Sequence, residues 1–197
     1  MRYFILLLLI ISQVACVGPG KAKPSLAVYD FGLASETSPE QRLIAKTDVE
    51  EITAADSLNT QQMRYRLSYE NAARVYFYAE SRWVAAPAEL LSSKLNSLLQ
   101  VDVQPRNCSL KLKLEVFDHV FMTPTSSEGV VYIGVVLADK KTRKVLASNL
   151  ISESVAASTQ NATGGAKALA QAGELALIKA ISWDNYQAEQ NVICRGQ

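Results

Sequence analysis

The sequence contains little of what catalytic and cofactor sites are usually built from. Its 197 residues include one histidine and three cysteines. It has no glycine-rich dinucleotide fingerprint, no phosphate-binding Walker loop and no serine-nucleophile elbow. One histidine and separated cysteines do not supply the close ligand pairs typical of zinc sites. We therefore expect no metal site, no cofactor and no enzymatic activity, and we expect His119, which follows Asp118 in a strand pattern, to be a partly exposed strand residue.

An excess of charge of one sign is also lacking. Lys plus Arg number 20 and Asp plus Glu number 19, for a formal net charge of +1. Such a chain has no basic field to hold nucleic acid. Beyond the N-terminal region, no apolar run approaches the ~20 residues that cross a bilayer. The body of the chain is expected to be soluble, with the N-terminus as its only membrane attachment.

The first sixteen residues have the pattern of an export signal. Arg2 precedes the apolar residues 4–11, which are too few to span a membrane and are typical of a signal peptide. Ala15 then stands directly before Cys16, as in bacterial lipoproteins whose cysteine is acylated, although Gln13 occupies a place where such sequences usually have an apolar residue. These features predict a signal peptide over residues 1–15 and a lipidated Cys16 with a flexible tether over residues 16–25. Ordinary cleavage after Ala15 is the alternative.

The remaining two cysteines form an even pair once Cys16 carries lipid. Structural disulfides persist in the oxidising compartments to which exported proteins are sent. We therefore predict a bridge between Cys108 and Cys194 that joins the C-terminal tail to the middle of the chain. Two free buried thiols are the alternative.

The length of the chain after the signal suits one domain, over residues 26–197. Period-2 and period-3.6 patterns alternate along the chain. They predict a strand at 26–33, a weaker strand region at 43–58, a hairpin over 62–83 that turns near residues 70–71, a helix from Pro87, a strand at 108–122, a hairpin from 129–138 to 144–156, and a helix at about 163–185. The order βββ(β)α-βββα favours an α/β (α+β) sandwich, with a mixed, largely antiparallel sheet covered by two main helices.

An aromatic and basic cluster in residues 65–83 is the best candidate for a binding surface. Tyr and Trp combine apolar bulk with a polar group and are enriched at interfaces. Strand alternation places Tyr76 and Tyr78 on one face and Phe77 on the other, so the two tyrosines face outward if Phe77 lies in the core. The predicted partner-binding residues are Tyr76, Tyr78, Arg82 and Trp83.

Residues 63–99 resemble the ABC-type transport auxiliary lipoprotein component family, of the PqiC type. The parts that carry the likeness are a Y-R-L strand, a tyrosine-rich strand that ends in S-R-W, a proline turn and a helix that begins A-E-L-L: Tyr65-Arg66-Leu67, residues 76–78, Ser81-Arg82-Trp83, Pro87 and Ala88-Glu89-Leu90-Leu91. The family often has two prolines before this helix, whereas here Ala86 precedes a single Pro87.

The resemblance implies a fold like the TolB N-terminal domain and a periplasmic lipoprotein on the outer membrane. It implies an auxiliary docking component of an MCE/ABC-type lipid transport system, whose partner is an MCE-domain lipid-carrying protein and which acts without catalysis. Homo-oligomers also fit the resemblance. One alternative is a lipoprotein adaptor that activates a cell-wall synthase, since fold does not fix function. Another is a small hydrolase, which would need a serine close to His119.

Overall fold

The computed structural model describes residues 25–32, 42–100 and 106–195. The predicted signal peptide, the lipidated Cys16 and nearly all of the tether lie outside these residues. The strands are β1 (Ala27–Tyr29), β2 (Asp48–Val49), β3 (Thr53–Ala54), β4 (Gln62–Leu67), β5 (Tyr76–Trp83), β6 (Cys108–Thr123), β7 (Ser126–Asp139) and β8 (Val145–Ala156). The helices are α1 (Ser68–Asn71), α2 (Pro87–Leu98), α3 (Ala162–Gln190) and α4 (Val192–Arg195).

All eight strands form one sheet around β6. The main path is β1-β5-β4-β6-β7-β8, and the two short strands β2 and β3 pair with β6 beside this path. The long ladders, β6 with β7 and β7 with β8, are antiparallel, as is β4 with β5. The pairs β1–β5, β2–β6, β3–β6 and β4–β6 are parallel. The predicted mixed, largely antiparallel sheet covered by two main helices is confirmed.

The two long helices bury their apolar sides in one core with the sheet. Helix α2 begins at Pro87, where a missing N–H costs nothing, and Leu91 and Leu95 on its inner side are at most 3% exposed. In α3, Ala172 and Ala176 are fully buried, because small side chains let the helix approach the strands closely. Alternate β6 residues such as Leu112 and Leu114 complete this core. Among the described residues, no helix is long and apolar enough to span a membrane.

Three predicted elements differ in extent. The first strand covers only Ala27–Tyr29, and the region 43–58 contains the two-residue strands β2 and β3. The expected turn near residues 70–71 is the helical turn α1. Side-chain bonds hold its end, because the Asn71 Oδ1 accepts from the Ala73 N–H and the Arg66 guanidinium donates to the Ala72 carbonyl. A period-2 pattern does not reveal such bonds.

A disulfide joins helix α4 to the sheet. Cys108, the first residue of β6, is bonded to Cys194 in α4, with their Cα atoms 5.2 Å apart. This is the pairing expected from the cysteine count. The Asn107 side-chain amide also donates to the Ile193 carbonyl at 3.1 Å, so α4 is held at two points.

Candidate functional site

Five ring side chains from three neighbouring strands meet on the helix-bearing face of the sheet. They are Tyr65, Tyr76, Tyr78, His119 and Phe121, and we call them the aromatic shelf. In register, Tyr65 on β4 lies opposite Tyr76 on β5 and His119 on β6. The parallel pairing of β4 with β6 thus joins segments that are more than fifty residues apart in sequence.

Tyr65 is the centre of the shelf. Its ring stacks on Tyr76 with centroids 5.1 Å apart and an interplanar angle of 16°, and it lies 4.7 Å from the ring of Tyr78. Phe121 contacts it edge-on at 6.0 Å. The guanidinium carbon of Arg74 sits 4.6 Å from the Tyr76 centroid, a cation–π contact that adds a positive charge at the rim. The three tyrosines are half-buried, so part of each ring is open to a partner.

Helix α3 starts over this region and runs away from it. A Cβ added to Gly165 would lie 2.4 Å from the His119 Nδ1, and one added to Gly173 would lie 4.0 Å from the ring of Phe117. The helix therefore passes from His119 towards the Cys108 end of β6. Phe121 lies on the other side of its N-terminus, which explains why the tyrosines beside Phe121 are only partly covered.

A buried hydrogen-bond network joins two residues of the shelf, Tyr78 and His119, to Ser127. The Tyr78 hydroxyl lies 2.8 Å from the His119 Nδ1, and the His119 Nε2 lies 2.8 Å from the Ser127 Oγ. Burial lowers the pKa of His119 to about 4, so the ring is neutral near pH 7, with one nitrogen as donor and the other as acceptor. Burial, followed by the nearby Tyr65 and Tyr29, raises the pKa of Tyr78 above its ordinary value. The network is neutral and holds the Tyr78 ring in place.

The predicted partial exposure of His119 is wrong, because its exposure is 0%. The fold does bring a serine to its ring, as a hydrolase would need, but Ser127 is only 4% exposed and the backbone of α3 closes over the imidazole. Asp118 cannot orient the ring. It projects from the opposite face, where its two carboxylate oxygens meet the Nε atoms of Arg64 at 2.9 Å and Arg66 at 2.5 Å. The geometry is that of a structural network.

The condition under which Tyr76 and Tyr78 would face outward, a Phe77 side chain in the core, is not met on strand β5. Phe77 is 47% exposed and pairs with Arg64 on the open face of the sheet. Tyr76 and Tyr78 face the core side, since Tyr76 pairs with Tyr65, which shares a face with the fully buried Met63. The tyrosines are nevertheless only half-buried, because α3 lies over His119 and passes from there towards Phe117.

Two of the predicted partner-binding residues lie elsewhere. Trp83 is 1% exposed, with its ring 5.9 Å from that of Phe31 and 5.5 Å from that of Phe117, so it is a core residue. Arg82 is exposed, but it lies six residues along β5 from Tyr76, a separation of about 20 Å at ~3.4 Å per residue. The four predicted residues do not form one site, and the shelf retains Tyr76 and Tyr78.

Sequence reasoning missed Phe121 and Ser127 as members of this region. Both lie in a long β6–β7 hairpin whose alternation marks them as inward-facing but does not say which strands they adjoin. Their role depends on the β4–β6 register, which no local pattern records. Among the described residues, no group of three or more His, Cys, Asp or Glu side chains is placed to hold a metal ion.

Comparison with known proteins gives a likeness of fold. No family model and no curated protein matches the sequence. A crystal structure of a Xanthomonas campestris protein assigned to the family DUF330 superposes with a TM-score of 0.68 at 13% identity, over 83% of this chain and 98% of that one. That of an uncharacterized protein gives 0.57 at 13% identity, over 81% and 98%. A Caulobacter crescentus lipoprotein candidate reaches only 0.37 at 17% identity, over 56% and 84%. The chain shares the DUF330 fold.

Proposed function

We propose that this chain is an envelope lipoprotein that serves an MCE/ABC-type lipid transport system as its auxiliary docking component. It would be anchored in the outer membrane through Cys16 and face the periplasm. The observation that carries the proposal is the DUF330 fold, which this chain matches over 98% of the Xanthomonas protein. DUF330 corresponds to the PqiC-like family, whose motifs the sequence also resembles.

The resembling motif has a clear structural role. Trp83 of the S-R-W triplet lies between Phe31 and Phe117, and Pro87 starts the helix that carries the fully buried Leu91. These residues shape the joint between β5 and α2. The motif therefore supports a shared fold, while the docking surface must be found among residues that reach solvent.

Export is supported by two independent features. The N-terminal residues have the pattern of a lipoprotein signal that ends at Cys16. The Cys108–Cys194 disulfide is of a kind that persists in oxidising compartments such as the periplasm. Both features suit a domain that works between two membranes.

The aromatic shelf is the surface we assign to partner docking. Tyr65 and Tyr76 offer large ring surfaces that are already held in place, so little side-chain entropy remains to be lost on binding. Arg74 adds a positive charge at the rim. The MCE-domain partner should therefore present apolar or aromatic side chains bordered by acidic ones. Ser127 and His119 are enclosed, so the proposed role is binding without catalysis.

The test is to crosslink the lipidated protein in cells, purify it and identify its partners by mass spectrometry. We expect an MCE-domain protein, with recovery strongly reduced by Tyr76→Ala. Arg82→Ala, a change of an exposed residue at the far end of the same strand, is the matched control and should leave recovery unchanged. Recovery of a cell-wall synthase without any MCE-domain protein would overturn the transport role. Equal recovery with Tyr76→Ala would overturn the site.

A further inference from the structure

Strand β8 leaves one long edge of the sheet open. It is the last strand of the path and pairs with β7 through Val145–Ala156, and no described strand covers its other side. Its 12 residues span about 40 Å at ~3.4 Å per residue. The opposite end of the path is β1, which has only three residues.

Two of the usual protections of an edge strand, lysine and proline, are missing from β8. Natural edges carry lysine, proline or inward charges that discourage pairing with another chain. The twelve residues of β8 include no proline, lysine or arginine, and Glu153 is their only charged residue. Its one inward charge, Glu153, points to the helix face and is neutralised by its ion pair with Lys179 of α3. The edge itself is lined by serines, aliphatic side chains and the amide of Asn149.

The free backbone groups of this edge can be assigned. The Leu150 N–H is bound by the neighbouring Asn149 Oδ1 at 2.9 Å, so it points away from β7. In an antiparallel strand every second residue directs both its N–H and its C=O to the same side. Ser148, Ser152 and Ser154 therefore also turn their backbone groups to the open edge.

We propose that two copies of this chain associate by antiparallel pairing of their β8 strands, centred on Leu150. Leu150 would face Leu150 of the second copy, and Ser148 would face Ser152. The outward N–H and C=O groups of these residues then bond to one another in the alternation that an antiparallel ladder requires. In each copy the Leu150 N–H, which now donates to the Asn149 Oδ1, would donate instead to the Leu150 carbonyl of the other copy. The two sheets join into one.

The side chains of β8 are complementary to themselves in this register. Leu150 is 53% exposed, so the central contact buries two apolar side chains that now meet water. The serine pairs can exchange hydroxyl hydrogen bonds across the strands. Glu153 faces Ala147 of the second copy, so no two like charges are opposed. These matches are matches of β8 with itself, so they favour a second copy of this chain as the partner. This inference does not rest on the proposed transport role.

The first test is self-crosslinking of a single introduced cysteine in the full lipidated chain. At the two-fold axis the Leu150 Cα atoms would be about 5.5 Å apart, within the ~4.4–6.8 Å that a disulfide spans. Leu150→Cys should therefore give a disulfide-linked dimer under mild oxidation. Val145→Cys, on the same strand and 57% exposed, would face residue 155 and should stay unlinked. No crosslink at position 150, or equal crosslinking at both positions, would overturn the proposal.

The second test removes the pairing without removing native bonds. The Ser152 N–H faces the open edge, so Ser152→Pro leaves the β7 ladder intact and blocks the second copy. We expect it to raise the dimer dissociation constant at least tenfold in sedimentation equilibrium, with unchanged circular dichroism. If Ser152→Pro fails to fold, Leu150→Lys decides, because it places two like charges on the axis. Dimerisation of Leu150→Lys at the wild-type dissociation constant would refute the interface.

Discussion

Asp184 is a buried carboxyl group whose replacement by Asn should stabilise the protein in a pH-dependent way. It lies in α3 with 0% exposure, and its Oδ2 accepts from the Thr47 Oγ at 2.7 Å. Its Oδ1 has no hydrogen-bond partner in the described part of the chain. Burial raises the pKa of Asp184 to about 6, and the Thr47 hydrogen bond opposes this only in part. At neutral pH the Asp184 carboxyl is ionised, and its buried charge lowers the stability of the folded state.

The magnitude follows from linkage. The Asp184 pKa rises from 3.8 to about 6 on folding. Once the carboxyl is ionised, this shift lowers the free energy of unfolding by about 3 kcal/mol. The folded state binds the proton more tightly than the unfolded chain does. The protonated Asp184 carboxyl therefore stabilises the folded state below pH ~4. This stabilisation is lost as the pH rises to about 6 and stays lost at higher pH.

Asp184→Asn removes the ionisation and keeps the shape. Its amide N–H₂ replaces the unpartnered oxygen and costs about 1–2 kcal/mol, which leaves a net gain of roughly 1–2 kcal/mol at pH 7.5. Urea unfolding followed by circular dichroism at several pH values between 4 and 7.5 measures the difference between variant and wild type. That difference should grow by about 2.4 kcal/mol over this range. A difference that is constant with pH, or that falls as the pH rises, would refute the reasoning.

Three further predictions concern stability and can be measured by chemical unfolding. Replacing Cys108 and Cys194 by Ala should cost about 4–5 kcal/mol in the chain-entropy model, because the bridge closes 86 residues; retention of wild-type stability under reducing agent would contradict this. Gly165→Ala should cost about 1–3 kcal/mol, because it pushes a methyl group into the buried histidine ring; at an ordinary helix position the same change would increase stability. Trp83→Ala should cost about 3–5 kcal/mol and Arg82→Ala less than about 0.5, and comparable costs would show that the tryptophan is not a core residue.

The sequence predicts those parts of the fold that have strong local patterns. Pro87 marks the first turn of α2, and the alternation from residue 108 predicts β6 almost to its observed end at Thr123. The cysteine count predicts the pair that the structure joins. Each of these inferences depends only on spacing along the chain, which a single sequence shows directly.

What was missed depends on contacts between distant segments. Period 2 separates Tyr76 from Phe77 but does not say which face is covered by helices, so it leaves the orientation of β5 open. His119 is buried because Gly165 lets the backbone of α3 approach its ring, and the two residues are 46 positions apart. Aromatic residues suit both interfaces and cores, so residue type alone does not distinguish the buried Trp83 from a contact residue.

Residues 76 and 77 allow the most direct test of the docking role, because neighbouring side chains of one strand project to opposite faces of the sheet. A photo-crosslinking amino acid is placed at position 76, on the aromatic shelf, or at position 77, on the open face, of the lipidated chain in its native envelope. The docking account predicts a covalent adduct with an MCE-domain protein from position 76 and none from position 77. An adduct with that protein from position 77 alone, or only with a cell-wall synthase from either position, would contradict the account.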